Sequence, residues 1–140
     1  MVEGRAKAVG AMADVLLDAT VFLDYRNGVR GARSLFEQIV RKELSASVSP
    51  FTVFQLWGRA DLDRQAEMGY TSMLTFLVEA PLTVQAAKTA GLWVASLPAE
   101  ERGGLMSIAL LVATAAERGE QICTSNMEPF RRFPSELREY

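Results

Sequence analysis

The sequence predicts one α/β domain in which a short-stranded parallel sheet is flanked by helices on both faces. Its 140 residues suit one domain, because a chain of this length can bury roughly two thirds of its unfolded surface. Hydrophobic residues make up 49% of the chain, which is enough for one core. Short apolar runs alternate with longer segments of helical periodicity, the pattern that favours parallel strands joined by crossover helices.

The first strand and two helices are predicted near the start of the chain. Val15–Leu17 is entirely apolar, which is typical of a strand buried on both faces, and it ends at Asp18. We expect Thr20 to cap the helix that follows and Asn27-Gly28 to end it. Apolar residues on one face then predict an amphipathic helix over residues 31–44.

The middle of the chain repeats this alternation. A second strand is predicted over residues 45–49, where Ser49-Pro50 resembles a helix start with Ser as N-cap and Pro at the first position. Helical spacing predicts a further helix over residues 64–78, and Leu82 is placed in a brief extended piece.

The last third of the chain supplies the remaining elements. We expect Thr83 to cap an Ala-rich helix that continues to Leu97. A strongly apolar helix is predicted after Gly103-Gly104, ending at Arg118-Gly119. A short strand at residues 121–124 and a short helix at residues 127–133 complete the prediction.

The predicted organisation is an N-terminal extension at residues 1–12, one domain at residues 13–134 and a C-terminal tail at residues 135–140. No Pro/Gly-rich linker, repeat or low-complexity tract divides the chain. The apolar run at residues 105–116 is too short to span a bilayer, so we expect no membrane association.

The amino-acid composition excludes several classes of catalytic site. The chain contains no histidine, which excludes Ser-His-Asp and Cys-His nucleophilic schemes and most zinc sites. Cys123 is the one cysteine, so there is no disulfide framework, and a reducing cytoplasm fits. The net charge of −2 gives no general attraction for nucleic acid. Any catalysis must therefore use carboxylates with a hard metal ion such as Mg²⁺.

The candidate site lies where the predicted strands end. In open parallel sheets, ligands bind at the carboxyl ends of the strands. We therefore expect Asp18, the region of Pro50 and the pair Ser125-Asn126 to lie near one another.

Four segments in this order resemble the PIN domain, specifically the VapC-type toxins. They are LLDATVFLDYRNG, SVSPFTVFQLWGRA, MSIALLVATAAERG and QICTSNMEPFRRFP. The likeness runs from about Met12 to Pro134, and its strength comes from the order and spacing of the four segments.

The resemblance implies a metal-dependent endoribonuclease, in which three or four carboxylates hold one or two Mg²⁺ or Mn²⁺ ions. Residue by residue, the first acid falls on Asp18, which is present. The others fall on Gln55, Ile108 and Asn126, and a further Asp or His of the family is replaced by Pro129.

These departures differ in severity. Gln55 and Asn126 keep a carbonyl oxygen but lose the charge, and one charge pair at about 4 Å contributes roughly 4 kcal/mol at an effective dielectric of 20. Ile108 has no ligand atom and is predicted to pack in the core. Asp18 is either a weak residual metal ligand or, in the simpler interpretation, a helix cap. Asp24 and Glu128 are interpreted as surface carboxylates.

Several side chains allow a binding role or a structural one. The basic face of Arg30, Arg33, Arg41 and Lys42 suits RNA or an acidic partner, although a solvated helix face is the simpler interpretation. Phe51, Phe54 and Trp57 suit a groove for a partner helix or a homodimer face. Core packing is the expectation for Phe54 and stays open for Trp57 and Trp93.

Three hypotheses follow. The first is an inactive or weak pseudo-nuclease that acts as a binding and dimerisation module, without a resident cofactor. The second is an active Mg²⁺- or Mn²⁺-dependent endoribonuclease toxin of a toxin–antitoxin system. The third is an unrelated α/β protein, which the ordered segments disfavour. Expected partners are a second copy of the chain, an antitoxin-like protein and RNA.

Overall fold

The structure, a computed structural model, describes residues 11–140. The predicted N-terminal extension, residues 1–12, therefore lies outside the described residues except for Ala11 and Met12. Within these described residues, five strands form one sheet: β1 Val15–Leu17, β2 Ala46–Val48, β3 Val78–Glu79, β4 Gln121–Cys123 and β5 Leu137–Arg138. Their order is β3-β2-β1-β4-β5 and every pairing is parallel, which confirms the predicted parallel sheet.

In the part of the chain that the structure describes, six α-helices connect and cover the strands. They are α1 Ala19–Arg26, α2 Arg30–Val40, α3 Pro50–Trp57, α4 Arg64–Leu74, α5 Val84–Ala95 and α6 Ala99–Arg118, and a 3₁₀ helix follows at Glu128–Arg132. None of the helices between residues 11 and 140 combines the length and the apolar character needed to cross a membrane.

The strand β1 lies at the centre of the sheet and separates two cores. Val15 and Leu17 face the first core, built with helices α1 to α4, while Leu16 faces the second core, built with α5, α6 and the 3₁₀ helix. Successive side chains of a strand point to opposite faces, so three apolar residues in a row supply both cores. The prediction of helices on both faces is confirmed.

Local signals in the sequence fix several helix ends as predicted. The Ser49 hydroxyl accepts a hydrogen bond from the Phe51 N–H at 3.0 Å, and Pro50 occupies the first turn of α3. The Thr83 hydroxyl accepts from the Ala86 N–H at 3.1 Å at the start of α5. Asn27 ends α1, and Gly28 follows with a left-handed φ of 78°.

Several predicted helix boundaries are wrong, among them the start of α1, the end of α2 and the start of α6. Thr20 lies inside α1 and is not its cap, because Asp18 occupies the N-cap position. Helix α2 ends at Val40, and Lys42 has a positive φ of 64°, which is incompatible with continuing the helix to residue 44. Helix α6 begins at Ala99, so Gly103-Gly104 lies within it; tertiary packing of α6 on α5 outweighs the low helix propensity of glycine.

The edges of the sheet also differ from the prediction. Helix α4 ends at Leu74, and Val78 belongs to β3 instead of that helix; the extended piece expected at Leu82 is not a strand. Residues 135–140, predicted as a tail, contribute β5, whose pairing places the Ile122 N–H 2.8 Å from the Glu136 carbonyl oxygen. Two-residue strands carry no periodicity that a sequence pattern could reveal.

Candidate functional site

The site lies at the carboxyl ends of β1, β2 and β4. Because β1 pairs in parallel with both neighbours, the residues that follow these strands meet at one edge of the sheet. Asp18 follows β1, Ser49 follows β2 and Thr124 follows β4. The backbone N–H of Asp18 donates to the Cys123 carbonyl oxygen at 3.0 Å, which joins the ends of β1 and β4 directly.

Asp18 is a buried carboxylate held by two hydroxyl groups. Its side-chain oxygen Oδ2 accepts from Thr124 Oγ1 at 2.8 Å and from Thr20 Oγ1 at 3.1 Å, and the residue is 8% exposed. Although Asp18 occupies the N-cap position of α1, its side chain makes no capping hydrogen bond. The carboxylate is therefore directed to the hydroxyls across the strand ends, and the interpretation of Asp18 as a helix cap is wrong for its side chain.

The same hydroxyls fix the loop after β4. Thr20 Oγ1 accepts from the Ser125 N–H at 3.0 Å, and Thr124 Oγ1 accepts from the Asn126 N–H at 3.0 Å. The two hydroxyl oxygens are 3.2 Å apart, but each hydroxyl has one proton. When both protons go to Asp18, the contact between the hydroxyls carries none. The backbone of Asn126 is thus brought to the Asp18 network, while its side chain is exposed.

Gln55 lies on α3, the helix that begins directly after β2, and is half-buried. Its carbonyl oxygen Oε1 is buried and has no hydrogen-bond partner within residues 11–140. The same is true of the Thr52 hydroxyl, one turn earlier on the same helix face. Leaving a buried polar atom unpaired costs about 1–3 kcal/mol. Each of these two oxygens of α3 would therefore gain from accepting a hydrogen bond or contacting a cation.

Ile108 lies on α6, where it is half-buried and packs against the second core. It contributes apolar contact and no ligand atom. Pro129 is in the first turn of the 3₁₀ helix, where a fixed φ suits a helix start. These two positions therefore have structural roles.

The residues at this edge do not fit a metal ion held by the protein alone. Within the described part of the chain, no three Asp, Glu, Cys or His residues group as metal ligands. Asp18 supplies one negative charge, and Gln55 and Asn126 have neutral oxygens. A hard divalent cation needs several oxygen ligands with net negative charge, and Mg²⁺ gives up its hydration water reluctantly.

Sequence reasoning missed the role of Tyr140. Its phenol donates a hydrogen bond to Asp24 Oδ2, so Asp24 is a half-buried partner of the chain end and not a plain surface carboxylate. Burial raises the pKa of Tyr140 to about 12; the bond to Asp24 adds to that rise, and the nearby hydroxyls of Ser125 and Thr20 oppose it. No signal in the sequence links residues 24 and 140.

A second buried carboxylate, also missed, lies at the opposite edge of the sheet. Glu120 Oε2 lies 3.0 Å from Arg118 Nη2 and accepts from the Ala13 N–H at 2.7 Å. Glu120 Oε1 accepts from Ser47 Oγ at 2.7 Å and from Arg118 Nε at 3.1 Å, and Arg118 also donates to the Ala11 carbonyl oxygen. We call Arg118, Glu120, Ser47 and Ala13 the amino-edge clasp.

The prediction that Phe54 packs in the core is wrong. Phe54 is 69% exposed and stacks on Phe51 with ring centroids 5.8 Å apart, so it is not a core residue. Trp57 is half-buried against the first core, and Trp93 stacks on Phe133 at the second core. Helix α3 therefore presents an apolar surface beside the candidate site.

Comparison with known proteins identifies the fold. No protein-family model matches the sequence, and no curated protein does. Among solved structures, the chain is similar to VapBC2 from Rickettsia felis, determined with a DNA fragment from its promoter: TM-score 0.71, 16% identity, 90% of this chain and 98% of that chain.

Two further structures agree. The DNA-bound VapBC from Salmonella typhimurium gives a TM-score of 0.69 at 20% identity, covering 91% of this chain and 98% of that one. A toxin–antitoxin complex from Klebsiella pneumoniae gives 0.66 at 17% identity, covering 89% and 97%. The low identities establish the fold alone, and the predicted resemblance is confirmed at that level: the chain has the PIN-type α/β fold of the VapC toxins.

Proposed function

We propose that this protein is a PIN-fold binding module, a pseudo-nuclease with weak or no catalytic activity. One observation carries the proposal: Asp18 is the single carboxylate among the four positions that the family resemblance assigns to the acidic cluster, the others being Gln55, Ile108 and Asn126. Metal-dependent hydrolysis needs a cation that polarises the scissile phosphate and lowers the pKa of an attacking water, and clustered acids to hold that cation.

The loss of negative charge at the family's acidic positions supports this proposal. Removing like charges from a cluster relieves repulsion and stabilises the fold without metal. Here the one remaining carboxylate is already satisfied at Oδ2 by the hydroxyls of Thr20 and Thr124. The hydrogen bonds to this oxygen are thus supplied by the protein itself, as expected for a module that retains the architecture and has lost the chemistry.

The alternative is an active Mg²⁺- or Mn²⁺-dependent endoribonuclease toxin. Two observations favour it: no salt bridge to Asp18 occurs within residues 11–140, and Gln55 Oε1 is a buried oxygen without a donor there. Asp18 and Gln55 would then hold the ion. Phosphate oxygens of the substrate would complete its ligands, as they do at sites with one or two carboxylates.

The proposed partners follow from the apolar surface of α3 and from the solved relatives. Those relatives are toxin–antitoxin complexes, some with DNA, so we propose an antitoxin-like protein as a partner of this chain. A second copy of the chain is the other proposed occupant of the exposed Phe51–Phe54 surface, and RNA is a further proposed ligand. The proposed location is the cytoplasm, where a buried free thiol such as Cys123 stays reduced.

Cleavage of RNA by the purified protein tests the function directly. Three proteins are compared with Mg²⁺ and with Mn²⁺: the natural chain, Asp18→Asn, and the triple variant Gln55→Glu, Ile108→Asp, Asn126→Asp. We expect the natural chain to cut no faster than Asp18→Asn. Gain of cleavage in the triple variant would show that the assay detects an active site on this fold. Robust turnover by the natural chain, abolished by Asp18→Asn, would establish the nuclease instead.

A metal titration followed by thermal unfolding gives a readout independent of turnover. We expect no rise in melting temperature for the natural chain at millimolar Mg²⁺ or Mn²⁺, because a ligand stabilises only a state that binds it. The triple variant should show a rise. A rise in the natural chain that disappears in Asp18→Asn would contradict the pseudo-nuclease proposal.

A further inference from the structure

The last four residues, Leu137 to Tyr140, run from strand β5 onto the carboxyl edge of the sheet. Leu137 packs against the second core, whereas Tyr140 packs against the first core on the opposite face. Between these points the chain passes the end of β4, because the Tyr140 phenol lies beside the hydroxyls of Ser125 and Thr20. We call residues 137–140 the C-terminal strap.

Two contacts anchor the strap to helices α1 and α2. The Tyr140 phenol donates to Asp24, which lies four residues after Thr20 and hence on the same face of α1. The backbone of Tyr140 lies directly against Gly31 in the first turn of α2. A Cβ atom on Gly31 would meet the Tyr140 carbonyl carbon at 2.7 Å and its oxygen at 2.8 Å, so only glycine permits this approach.

Thr20 connects these anchors to the candidate site. Its hydroxyl donates to Asp18, accepts from the Ser125 N–H and lies beside the Tyr140 phenol. The strap, the loop after β4 and the buried carboxylate therefore share one side chain. Displacing Tyr140 changes the surroundings of Thr20 first and those of Asp18 next.

Outside its two anchors, the strap is held by the short pairing of β5 with β4 and by the contact of Leu137 with the second core. Strand β5 has two residues, both half-buried, and Glu139 is exposed. Segments with few buried contacts open at the low end of the stability range of a fold. The Tyr140 anchor therefore decides whether the strap stays in place.

We propose that Tyr140 is a latch that holds the C-terminal strap over the Asp18 edge, and that its release opens the loop at Ser125-Asn126 and uncovers both Asp24 and Thr20, the residue that bonds Asp18. The proposal deepens the proposed function, since it concerns access to that same site. It does not depend on whether the site binds RNA, a protein or a metal ion.

The rate of hydrogen exchange at two backbone amides measures whether the latch is closed. The Ser125 and Asn126 N–H groups donate to Thr20 and Thr124, so their protection reports whether the loop is closed. We compare Gly31→Ala with Gly91→Ala, a glycine in helix α5 whose added Cβ would meet nothing within 4 Å. Both changes gain helix propensity, and only the first collides with Tyr140.

We expect Gly31→Ala to speed exchange at Ser125 and Asn126 by about tenfold or more, with the β1 amides unchanged and Gly91→Ala like the natural chain. Tyr140→Ala should speed exchange at the same two amides. It tests the latch in place of Gly31→Ala if that variant fails to fold. Tyr140→Phe, which loses the hydroxyl with its bond to Asp24 and its contacts to Ser125 and Thr20 but keeps the ring and the backbone, should have a smaller effect. Unchanged exchange at both amides in Tyr140→Ala would overturn the latch. Neither outcome depends on RNA cleavage or metal binding, so this proposal and the proposed function fail separately.

Discussion

Two buried carboxylates lie at opposite ends of the same central strands and are satisfied in different ways. Glu120, at the amino edge, has a fully buried side chain that receives hydrogen bonds from Arg118, Ser47 and Ala13, including a guanidinium at 3.0 Å. Asp18, at the carboxyl edge, is 8% exposed and receives two hydroxyl hydrogen bonds. No cation within residues 11–140 forms a salt bridge to it.

We interpret this difference as one between a carboxylate with a structural role, Glu120, and one with a proposed functional role, Asp18. Burial of a carboxylate is costly unless an opposite charge and further donors compensate it, and the amino-edge clasp supplies both. The clasp also joins the segment before β1 to β2 and to the end of α6. Asp18 has no cationic partner within residues 11–140 and lies at the edge where parallel sheets bind ligands, which is why the proposed function depends on it.

The largest expected loss of stability comes from neutralising Glu120. Glu120→Gln keeps the shape of the side chain but deprives the buried Arg118 guanidinium of its carboxylate. Breaking one partner of a buried ion pair costs about 3–5 kcal/mol, and the remaining amide oxygen places the expected loss near the lower value. Urea unfolding measures it. Glu136→Gln, an exposed glutamate nearby, serves as the control. A loss below about 1 kcal/mol would show that the two carboxylates do not differ.

The second effect tests how much the hydroxyls stabilise Asp18. Thr124→Val removes, at constant shape, the donor to Asp18 and also the acceptor of the Asn126 N–H. It should lower the free energy of unfolding by about 2 kcal/mol, as for a hydrogen bond to a charged group. Its cost should shrink when Asp18→Asn is already present. A double-mutant cycle on urea unfolding measures that coupling; strict additivity would mean that Thr124 acts on something other than the Asp18 charge.

The third effect is a loss of stability at alkaline pH that we expect to arise at the Asp18 edge of the sheet. Burial raises the pKa of Cys123 to about 11, above its ordinary 9.0, and the Cys123 carbonyl oxygen is bonded to the Asp18 N–H. Above about pH 9 the unfolded chain releases the thiol proton while the folded chain keeps it, so stability falls as the pH rises toward 11.

The expected loss is on the order of 1 kcal/mol at about pH 10. Melting temperatures at about pH 8 and about pH 10 give the slope, and Cys123→Ala should reduce it. Tyr140 contributes a further decrease between about pH 10 and 12, because its folded pKa is also raised. An unchanged slope in Cys123→Ala would place the alkaline sensitivity away from the Asp18 edge.

The smallest effect is expected at Asp18 itself. Asp18→Asn loses the charge but keeps an oxygen for the hydroxyls, and Asn suits the N-cap position equally well. The stability should change by less than about 1 kcal/mol, in either direction, because a lost charge-assisted bond is offset by a lost desolvation cost. This is the isosteric counterpart of Glu120→Gln. A loss as large as that of Glu120→Gln would make Asp18 a structural residue.

The elements predicted from sequence are those with local causes. The buried strand at Val15–Leu17, the Ser49 cap and the Thr83 cap each depend on a few consecutive residues, and all three are confirmed. The convergence of Asp18 with the loop at Ser125-Asn126 was predictable because parallel strands end at one edge.

Sequence reasoning failed where the cause is distant in the chain. No sequence pattern predicted that Arg118 and Glu120 are buried, yet they pair with each other, and Ser47 and Ala13 donate hydrogen bonds to Glu120 in the amino-edge clasp. Strands β3 and β5 have two residues each, so only their pairing partners identify them. Asp24 is bonded to Tyr140 across 116 positions, a separation that no local pattern spans.

The sequence by itself determined the class of fold, the order of its main elements and the position of one carboxylate at the carboxyl edge. These follow from hydrophobic periodicity and from short-range capping, which act within a few residues. The tertiary structure decided which charges are buried, which donors satisfy them and where the chain end lies. Burial and hydrogen bonding are properties of the space around a side chain, and that space is filled by residues far apart in the sequence.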